Sequence, residues 1–562
     1  MISNNIQFPI SNLSRVKSRD FKYPILGVIL LLAVFLRFFW FGVVPPSLNW
    51  DETSLGYNAY SILETGKDEW GRIFPLTFEA FGDFKLPGYI YTTVPFIALL
   101  GLNEWAVRLP SMLAGVLSVG LLYWIVVTES KNQKWALVSA LLLAISPWHT
   151  FLSRAALEAN LALCFFLVGI YFLIVGYKKR SLGFLSGSAL FFGLTLFTYN
   201  SARVFVPLFL AAVALSKIGE LRQIKELKVK LIIPAVIFLI FIGVAGFLAL
   251  TQDSSSRYYW VAIVDEGAIN FLNESRGAST LPEVATKLVY NRYSYFAFVF
   301  AKNYLSHFSP QFLFLAGGDN YQFSVQQMGL MYAIEAPFLI YGLLKIWKYP
   351  SAAKLFMAWL LLAPIPAAIT RESPHVLRSI FMLGALQAIV GVGMTDAWIW
   401  LKDRLRIVAV SGVIVVTLLM IINSYWYFST YFLEYPKQYS QSWQYGYKEA
   451  INFVMTKENV NNRPLFISKK YGEAHIFYLF YNQYDPGQYQ TNLNLVRYPQ
   501  SNWRWVDRLD NVYFINDWEM KEKLKDQHGY VISTPGNYPG IPPVLKRIDF
   551  LDGKGAFEVV EI

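Results

Sequence analysis

A chain of 562 residues that is 55% hydrophobic, 17% aromatic and only 15% charged is too apolar for a soluble domain and long enough for many membrane crossings. The formal net charge of +11 does not argue for nucleic acid, because Lys and Arg fall in short clusters between apolar runs, as cytoplasmic loops do. A single cysteine, Cys164, inside an apolar run excludes a disulfide framework and a thiolate metal site.

In chain order, residues 1–23 carry Arg15, Lys17, Arg19 and Lys22 ahead of an apolar run from Pro24 to Phe41. That charge predicts a cytoplasmic N-terminus, and the absence of a small-residue cleavage pattern predicts a retained first span. Arg37 lies near the outer end of that span. Residues 43–105 then form an outer loop with eight acids (Asp51, Glu52, Glu64, Asp68, Glu69, Glu79, Asp83, Glu104) against three bases (Lys67, Arg72, Lys85). Helical periodicity runs from Thr53 to Thr65, and Pro87 to Leu100, at about fourteen residues, is short for a span and reads as an interfacial helix.

The next spans are predicted near 106–127, 135–150, 161–176, 182–199, 204–215 and 231–250. A second outer loop, 251–329, follows, in which Tyr293 to Ala301 reads as interfacial or re-entrant. Spans near 330–344, 355–369, 379–400 and 407–422 complete about eleven crossings, N-terminus in and C-terminus out, with every basic cluster inside. The membrane domain is thus 24–422. From about Asn423 to Ile562, turn residues separate β-rich runs at 464–468, 475–481, 511–515, 530–533 and 556–562, predicting an extracytoplasmic α/β domain whose helix is Ser442 to Thr456.

This topology gathers ionisable residues on one membrane face. Asp51 and Glu52 are adjacent carboxylates where the chain leaves the first span, and ionisable groups held at a membrane border usually serve a site. Arg154 and Glu158, with Asn160 nearby, are four apart, as are Tyr199 and Arg203, which places each pair on one helical face. Arg371, His375 and Arg378 read as a basic stripe suited to a phosphate. Lys85 precedes the interfacial helix, where an ammonium can meet a phosphate at the membrane surface. Carboxylates for proton removal beside cations for a phosphate describe a hydroxyl attacking a phosphate-activated carbon.

The runs NWDETSLG (49–56), FKLP (84–87) and NEWAVRLP (103–110), with Arg154 and Glu158, resemble the C-type (GT-C fold) membrane glycosyltransferases. Within these the likeness is to the protein O-mannosyltransferase-like and aminoarabinose transferase-like families, and it is fullest over residues 24–215. The resemblance implies a polyprenyl-phosphate-linked sugar as donor, an extracytoplasmic site in the plasma or inner membrane, Asp51 as base, Lys85 beside the donor phosphate, and Glu158 at an acidic position of the second outer turn. The acceptor is expected to be a hydroxyl of a protein, lipid or glycan, and a single in-line step implies inversion. Arg154, Glu158, Tyr199, Arg203, His375 and Arg378 join Lys85 as candidate donor contacts, and Asp51 and Glu52 are the catalytic candidates. No Asp-x-Asp pair, Gly-x-Gly-x-x-Gly turn or zinc-spaced histidines occur, so a nucleotide-sugar site is not expected; Asp51, Glu52 and Glu158 could hold a divalent ion, but the resemblance to the nearest families implies no metal or other cofactor. The competing class is a transporter or flippase of lipid-linked saccharides, against which stand two long structured outer loops and the lack of repeats.

Overall fold

The computed structural model describes residues 22–223, 225–250, 261–458 and 460–562. The expected basic residues Arg15, Lys17 and Arg19 and residues 251–260 of the second outer loop lie outside the described residues, as do the side chains of Lys22, Arg222, Lys225 and Lys228.

Apolar runs become helices because a chain in hydrocarbon must satisfy its own backbone polar groups. The first is α1 (Lys22–Phe38). The acidic loop then folds as α2 (Trp50–Thr65), the strands β1 (Phe78–Ala80) and β2 (Asp83–Lys85), and α3 (Pro87–Leu100), so both helices expected in that loop are present. There follow α4 (Glu104–Ser130), α5 (Gln133–Ile145), α6 (Pro147–Arg154), α7 (Glu158–Lys179), α8 (Leu182–Leu196), α9 (Ala202–Ser216) and α10 (Lys225–Leu250). Between α5 and α6 the axis bends by 53° at Pro147, which has no N–H to continue the ladder.

The second outer segment contains α11 (Arg292–Ser306), whose Asn303 amide donates to the carbonyls of Ala368 (3.3 Å) and Thr370 (2.9 Å). The bundle ends with α12 (Ala336–Lys345), α13 (Pro350–Leu362), α14 (Ala385–Lys402) and α15 (Arg406–Ser429). Each predicted span therefore overlaps a helix, although within 330–344 and 379–400 the α-helix begins only at Ala336 and Ala385, and 135–150 and 355–369 are interrupted. Among the described residues, however, six helices are long and apolar enough to cross a membrane, or seven with the bent pair counted as one.

The basic turns meet at one end of the bundle. There Lys178 pairs with Glu129 (3.1 Å), Ser351 donates to the same carboxylate (2.8 Å), Asn132 donates to the Tyr349 hydroxyl (3.2 Å) and Lys348 pairs with Asp396 (2.6 Å). The acidic loop and the C-terminal sheet share a different core, in which Leu55, Tyr57 and Val107 pack with Ile451, Phe477 and Phe480.

Two expectations for the C-terminal region are corrected. The proposed boundary at Asn423 falls inside helix, because helical structure runs from Arg406 to Tyr439 and the soluble unit's own first helix, α16 (Tyr447–Met455), begins later. The run 475–481 is not a strand. It forms α17 (Ala474–Tyr481), whose residues from Ala474 to Phe480 are all buried; aromatic residues favour strands only through the packing they find, and here burial on every side suits a helix. Each such ring contributes about 1.5–3 kcal/mol by leaving water.

The remaining strands are β3 (Leu465–Ser468), β4 (Val496–Gln500), β5 (Trp503–Leu509), β6 (Val512–Ile515), β7 (Tyr530–Ser533), β8 (Val544–Asp549) and β9 (Gly555–Glu561). They form one mixed sheet in the order β4-β5-β6-β3-β7-β9-β8. Its centre, β6-β3-β7, is parallel and the flanks are antiparallel, the arrangement expected of an α/β unit with helices crossing over its middle.

Candidate active site

The start of α2 determines where the two adjacent acids point. Asn49 caps the helix: its side chain accepts the Glu52 N–H (2.9 Å) while the Glu52 carboxylate accepts the Asn49 N–H (3.2 Å), a reciprocal box that satisfies two orphan donors. Glu52 is thereby turned inward. Its carboxylate also accepts Arg108 Nε (2.8 Å), Arg108 Nη2 (2.7 Å) and the Ala156 N–H (2.7 Å). Both side chains of this ion pair are about 1% exposed. Both oxygens of Glu52, expected as a catalytic candidate, are engaged in tying α2 to α4 and to the turn before α7, an architectural placement. Among the described residues no group of three His, Cys, Asp or Glu side chains is arranged to hold a metal ion.

Asp51, one residue earlier, faces the other way. It is half exposed and accepts a hydrogen bond from Lys85 Nζ at 2.5 Å, whereas the Lys85 side chain is only 8% exposed. Lys85 ends β2, paired across from Phe78. The hairpin is braced from both sides: Glu79 receives Arg72 (2.7 Å) and Arg504 of β5 (3.0 Å), and the Arg504 N–H donates to the Phe81 carbonyl (3.3 Å). Gly82 at its tip has φ +94° and lies so close to the Asn502 carbonyl that a Cβ would stand 2.1 Å from it, so only glycine fits. The C-terminal sheet thus holds the strand that carries Lys85. Burial alone would lower the Lys85 pKa, but the Asp51 and Glu158 carboxylates outweigh it and hold the ammonium above its ordinary value.

Just beyond Lys85, the Gly88 N–H donates to the Phe197 carbonyl (2.9 Å), and Thr198 packs where a Gly88 side chain would be. This brings the turn before α9, with Tyr199, against the lysine segment; Arg203 stands in the first turn of α9 and Tyr199 lies outside the helix, so the two do not share the helical face expected of them. Arg203 Nε donates to the Leu196 carbonyl (3.3 Å). Glu158 opens α7, where its charge is favoured by the helix dipole and where it acts on Lys85.

Other expected groupings dissolve. Arg154 and Glu158 do not share a helical face: α6 ends at Arg154 and α7 begins at Glu158, with Ala155, Ala156 and Leu157 between them outside the helix. The Arg154 guanidinium instead donates to the carbonyls of Leu36 (2.9 Å), Arg37 (2.9 Å), Phe39 (2.7 Å) and Val44 (2.7 Å), and lies 4.9 Å over the Phe432 ring. It caps the C-terminal end of α1, where unpaired carbonyls attract a cation. Arg371, His375 and Arg378 form no helical stripe either, since Pro374 disfavours helix at the residue before it and the segment is irregular. Arg371 pairs with Asp265 (2.9 Å), Arg378 bonds Thr370 (3.0 Å) and Glu372 (3.1 Å), and the His375 N–H donates to His307 Nε2 (3.3 Å).

Against this geometry stand the comparisons with known proteins. The ArnT structure from Cupriavidus metallidurans in the apo state aligns at TM-score 0.54 and 13% identity, covering 97% of this chain and 98% of that one. The same protein bound to undecaprenyl phosphate aligns at 0.52 and 13%, covering 98% of each chain. The chain has the GT-C glycosyltransferase fold. An archaeal oligosaccharyltransferase, AglB from Archaeoglobus fulgidus, solved with an inhibitory peptide and a dolichol-phosphate, aligns at 0.50 and 12% over 83% of this chain; the chain spans 64% of that protein's length. The family model described as dolichyl-phosphate-mannose-protein mannosyltransferase matches residues 85–247, a stretch that opens on Lys85 and includes Arg108 and Glu158. No curated protein matches the sequence.

Arg108 is the functional-site residue that sequence reasoning missed. It stands within the run NEWAVRLP, but its partner is 56 positions away, and a long-range pair leaves no spacing signature. A buried arginine near the start of an apolar helix was the available signal, since such a charge is retained only when paired.

Proposed function

We propose that the chain transfers a sugar from a polyprenyl-phosphate carrier to a hydroxyl of a protein, lipid or glycan acceptor on the face opposite the basic turns, with Asp51 as general base. The observation that carries this reading is the Asp51–Lys85 pair at 2.5 Å, one partner half exposed and the other buried. A buried ammonium hydrogen-bonded to a carboxylate that itself reaches solvent is matched to an anion that arrives from outside. Further support comes from the mannosyltransferase family match that begins at Lys85, and from the polyprenyl phosphates bound by two proteins sharing the fold.

In this mechanism the donor phosphate competes with Asp51 for Lys85. Lys85 turns to the phosphate, and the released carboxylate is left facing the acceptor. The acceptor oxygen attacks the anomeric carbon as the bond from that carbon to the phosphate oxygen breaks. The hydroxyl proton passes to Asp51 and the bonding electron pair leaves with the polyprenyl phosphate, whose charge Lys85 offsets. One displacement inverts the anomeric centre. Glu158 keeps Lys85 charged, and Glu52 with Arg108 holds the start of α2 so that Asp51 keeps its direction.

The test is to incubate purified protein with membrane extract and a radiolabelled sugar on either a polyprenyl phosphate or a nucleotide. Label appearing in acceptor from the lipid-linked donor alone supports the reading. Transfer from the nucleotide sugar without any lipid carrier overturns it.

A further inference from the structure

The last long helix stands apart from the bundle it follows. Of the most apolar stretch within Arg406–Tyr439 only 6% is buried, against 83% for Ile380–Lys402 before it. Between α15 and the α1, α5 and α14 helices lies an apolar groove of about 1230 Å³. An engineered cavity of about 150 Å³ already binds benzene, so this groove has room for long hydrocarbon chains. Left empty, its walls would lose the dispersion contacts that hold a helix in place.

Its ends differ. At one end are aromatic residues, Phe39, Trp40 and Phe432. At the other lie Lys134 of α5 and Leu401 of α14, next to the turn that joins α14 to α15. That turn reads Lys402, Asp403, Arg404, Leu405, Arg406, and its charged side chains are exposed, as is Lys134. Lys134 thus lines the groove, and Lys402, Arg404 and Arg406, against one acid, Asp403, stand on the turn that adjoins it, at the end of the bundle where the other basic turns meet. Hydrocarbon-lined walls with a cationic mouth at the membrane surface complement one occupant, an anionic phospholipid. None of Asp51, Lys85 or Glu158 lines the groove, so this is not the donor site.

We infer that the groove between α15 and α1, α5 and α14 is a binding site for an anionic phospholipid of the leaflet facing the basic turns. Its headgroup lies against Lys134, Arg404 and Arg406, and its acyl chains complete the packing of α15. Gly412 offers a way to block it. It lines the groove, and a Cβ added there meets nothing within 4 Å, so Gly412→Phe starts its side chain in open space at the groove and is expected to compete with the lipid for that volume.

The test is native mass spectrometry of the full chain released from nanodiscs of mixed anionic and zwitterionic phospholipid. Wild type is expected to retain one phospholipid, enriched in the anionic class. Lys134→Gln/Arg404→Gln/Arg406→Gln should lower the anionic enrichment by about 100-fold, and Gly412→Phe should abolish retention while keeping a wild-type elution profile. Retention unchanged in Gly412→Phe, equal retention of zwitterionic lipid by wild type, a polyprenyl lipid in the groove, or a dimer that buries α15 without lipid would each overturn the assignment.

Discussion

Replacing Glu52 by Gln separates architecture from chemistry at the two adjacent acids. The Glu52 carboxylate receives four donors: Arg108 Nε and the Ala156 N–H on one oxygen, Arg108 Nη2 and the Asn49 N–H on the other. An amide keeps one oxygen and turns an NH₂ toward the other two donors. Two charge-assisted or buried bonds at about 1.5–3 kcal/mol each, with Arg108 left as a buried unpaired cation, agree with the about 3–5 kcal/mol cost of breaking a buried ion pair. That is a large part of a typical net stability of about 5–15 kcal/mol. Asp51→Asn, by contrast, keeps an oxygen for Lys85 to donate to at a half-exposed position, so its cost is expected to be smaller, at about the 0.5–1.5 kcal/mol of an ordinary hydrogen bond. Size-exclusion profiles after graded heating in detergent should therefore show Glu52→Gln lost at much lower temperature and Asp51→Asn close to wild type. A Glu52→Gln/Arg108→Gln double variant should recover part of the loss, because no charge is then left unpaired. If Glu52→Gln melts with wild type and yet is inactive, the structural role assigned to Glu52 is wrong and it belongs to the chemistry.

Lys85→Ala should raise the donor KM by about 10- to 150-fold, the equivalent of about 1.5–3 kcal/mol for a charge-assisted hydrogen bond, with acceptor KM little changed; equal effects on both would deny a phosphate contact. Because the folded Lys85 pKa is raised above the ordinary 10.5, its charge is complete below that value and is lost only as pH rises through the higher folded one. Donor titrations should accordingly show no lysine ionisation between pH 6 and about 10; an inflection in that range traced to Lys85 would contradict it. Arg154→Met should destabilise the protein through the four carbonyls it leaves unpaired while the donor KM of the folded fraction stays unchanged, as radiolabelled kinetics on heat-fractionated protein can show. In a cysteine-free background, Ser130→Cys should react with an impermeant thiol reagent only from inside and Gln527→Cys only from outside. Reaction of Ser130→Cys from outside would reverse the assignment of the basic turns to the cytoplasm.

The parts of the fold written in local pattern were legible. Apolar runs bounded by Lys131, Lys178 or Lys348 became helices, and the periodicity after Asp51 became α2 with its cap. Asp51 and Lys85 are marked in the sequence by charge type and nearness to a membrane border, and they meet across 34 positions. What failed was inference from an i, i+4 interval where the chain is not helical. Ala155 to Leu157 break the helix between Arg154 and Glu158, and Pro374 does the same within 371–378. The buried run 474–481 was misread because aromatic content and β-propensity do not tell a buried helix from a strand. The role of Glu52 was hidden for another reason: adjacent residues at a helix start diverge by about 100°, and only the tertiary position of Arg108 decides which of the two acids turns inward.

Transfer by Asp51→Asn, measured beside donor binding on the same purified protein, bears most directly on the proposed catalysis. Asn keeps nearly the same shape at position 51 and leaves the Asn49 cap of α2 untouched, but it cannot take the acceptor proton. With general-base catalysis contributing roughly 10²- to 10⁴-fold, the variant is expected to bind polyprenyl-phosphate sugar at least as tightly as wild type, since Lys85 is no longer held by a carboxylate, while transferring it at least about 10²-fold more slowly. Transfer at a near wild-type rate would contradict the role of Asp51 as base and leave its pairing with Lys85 as a structural contact.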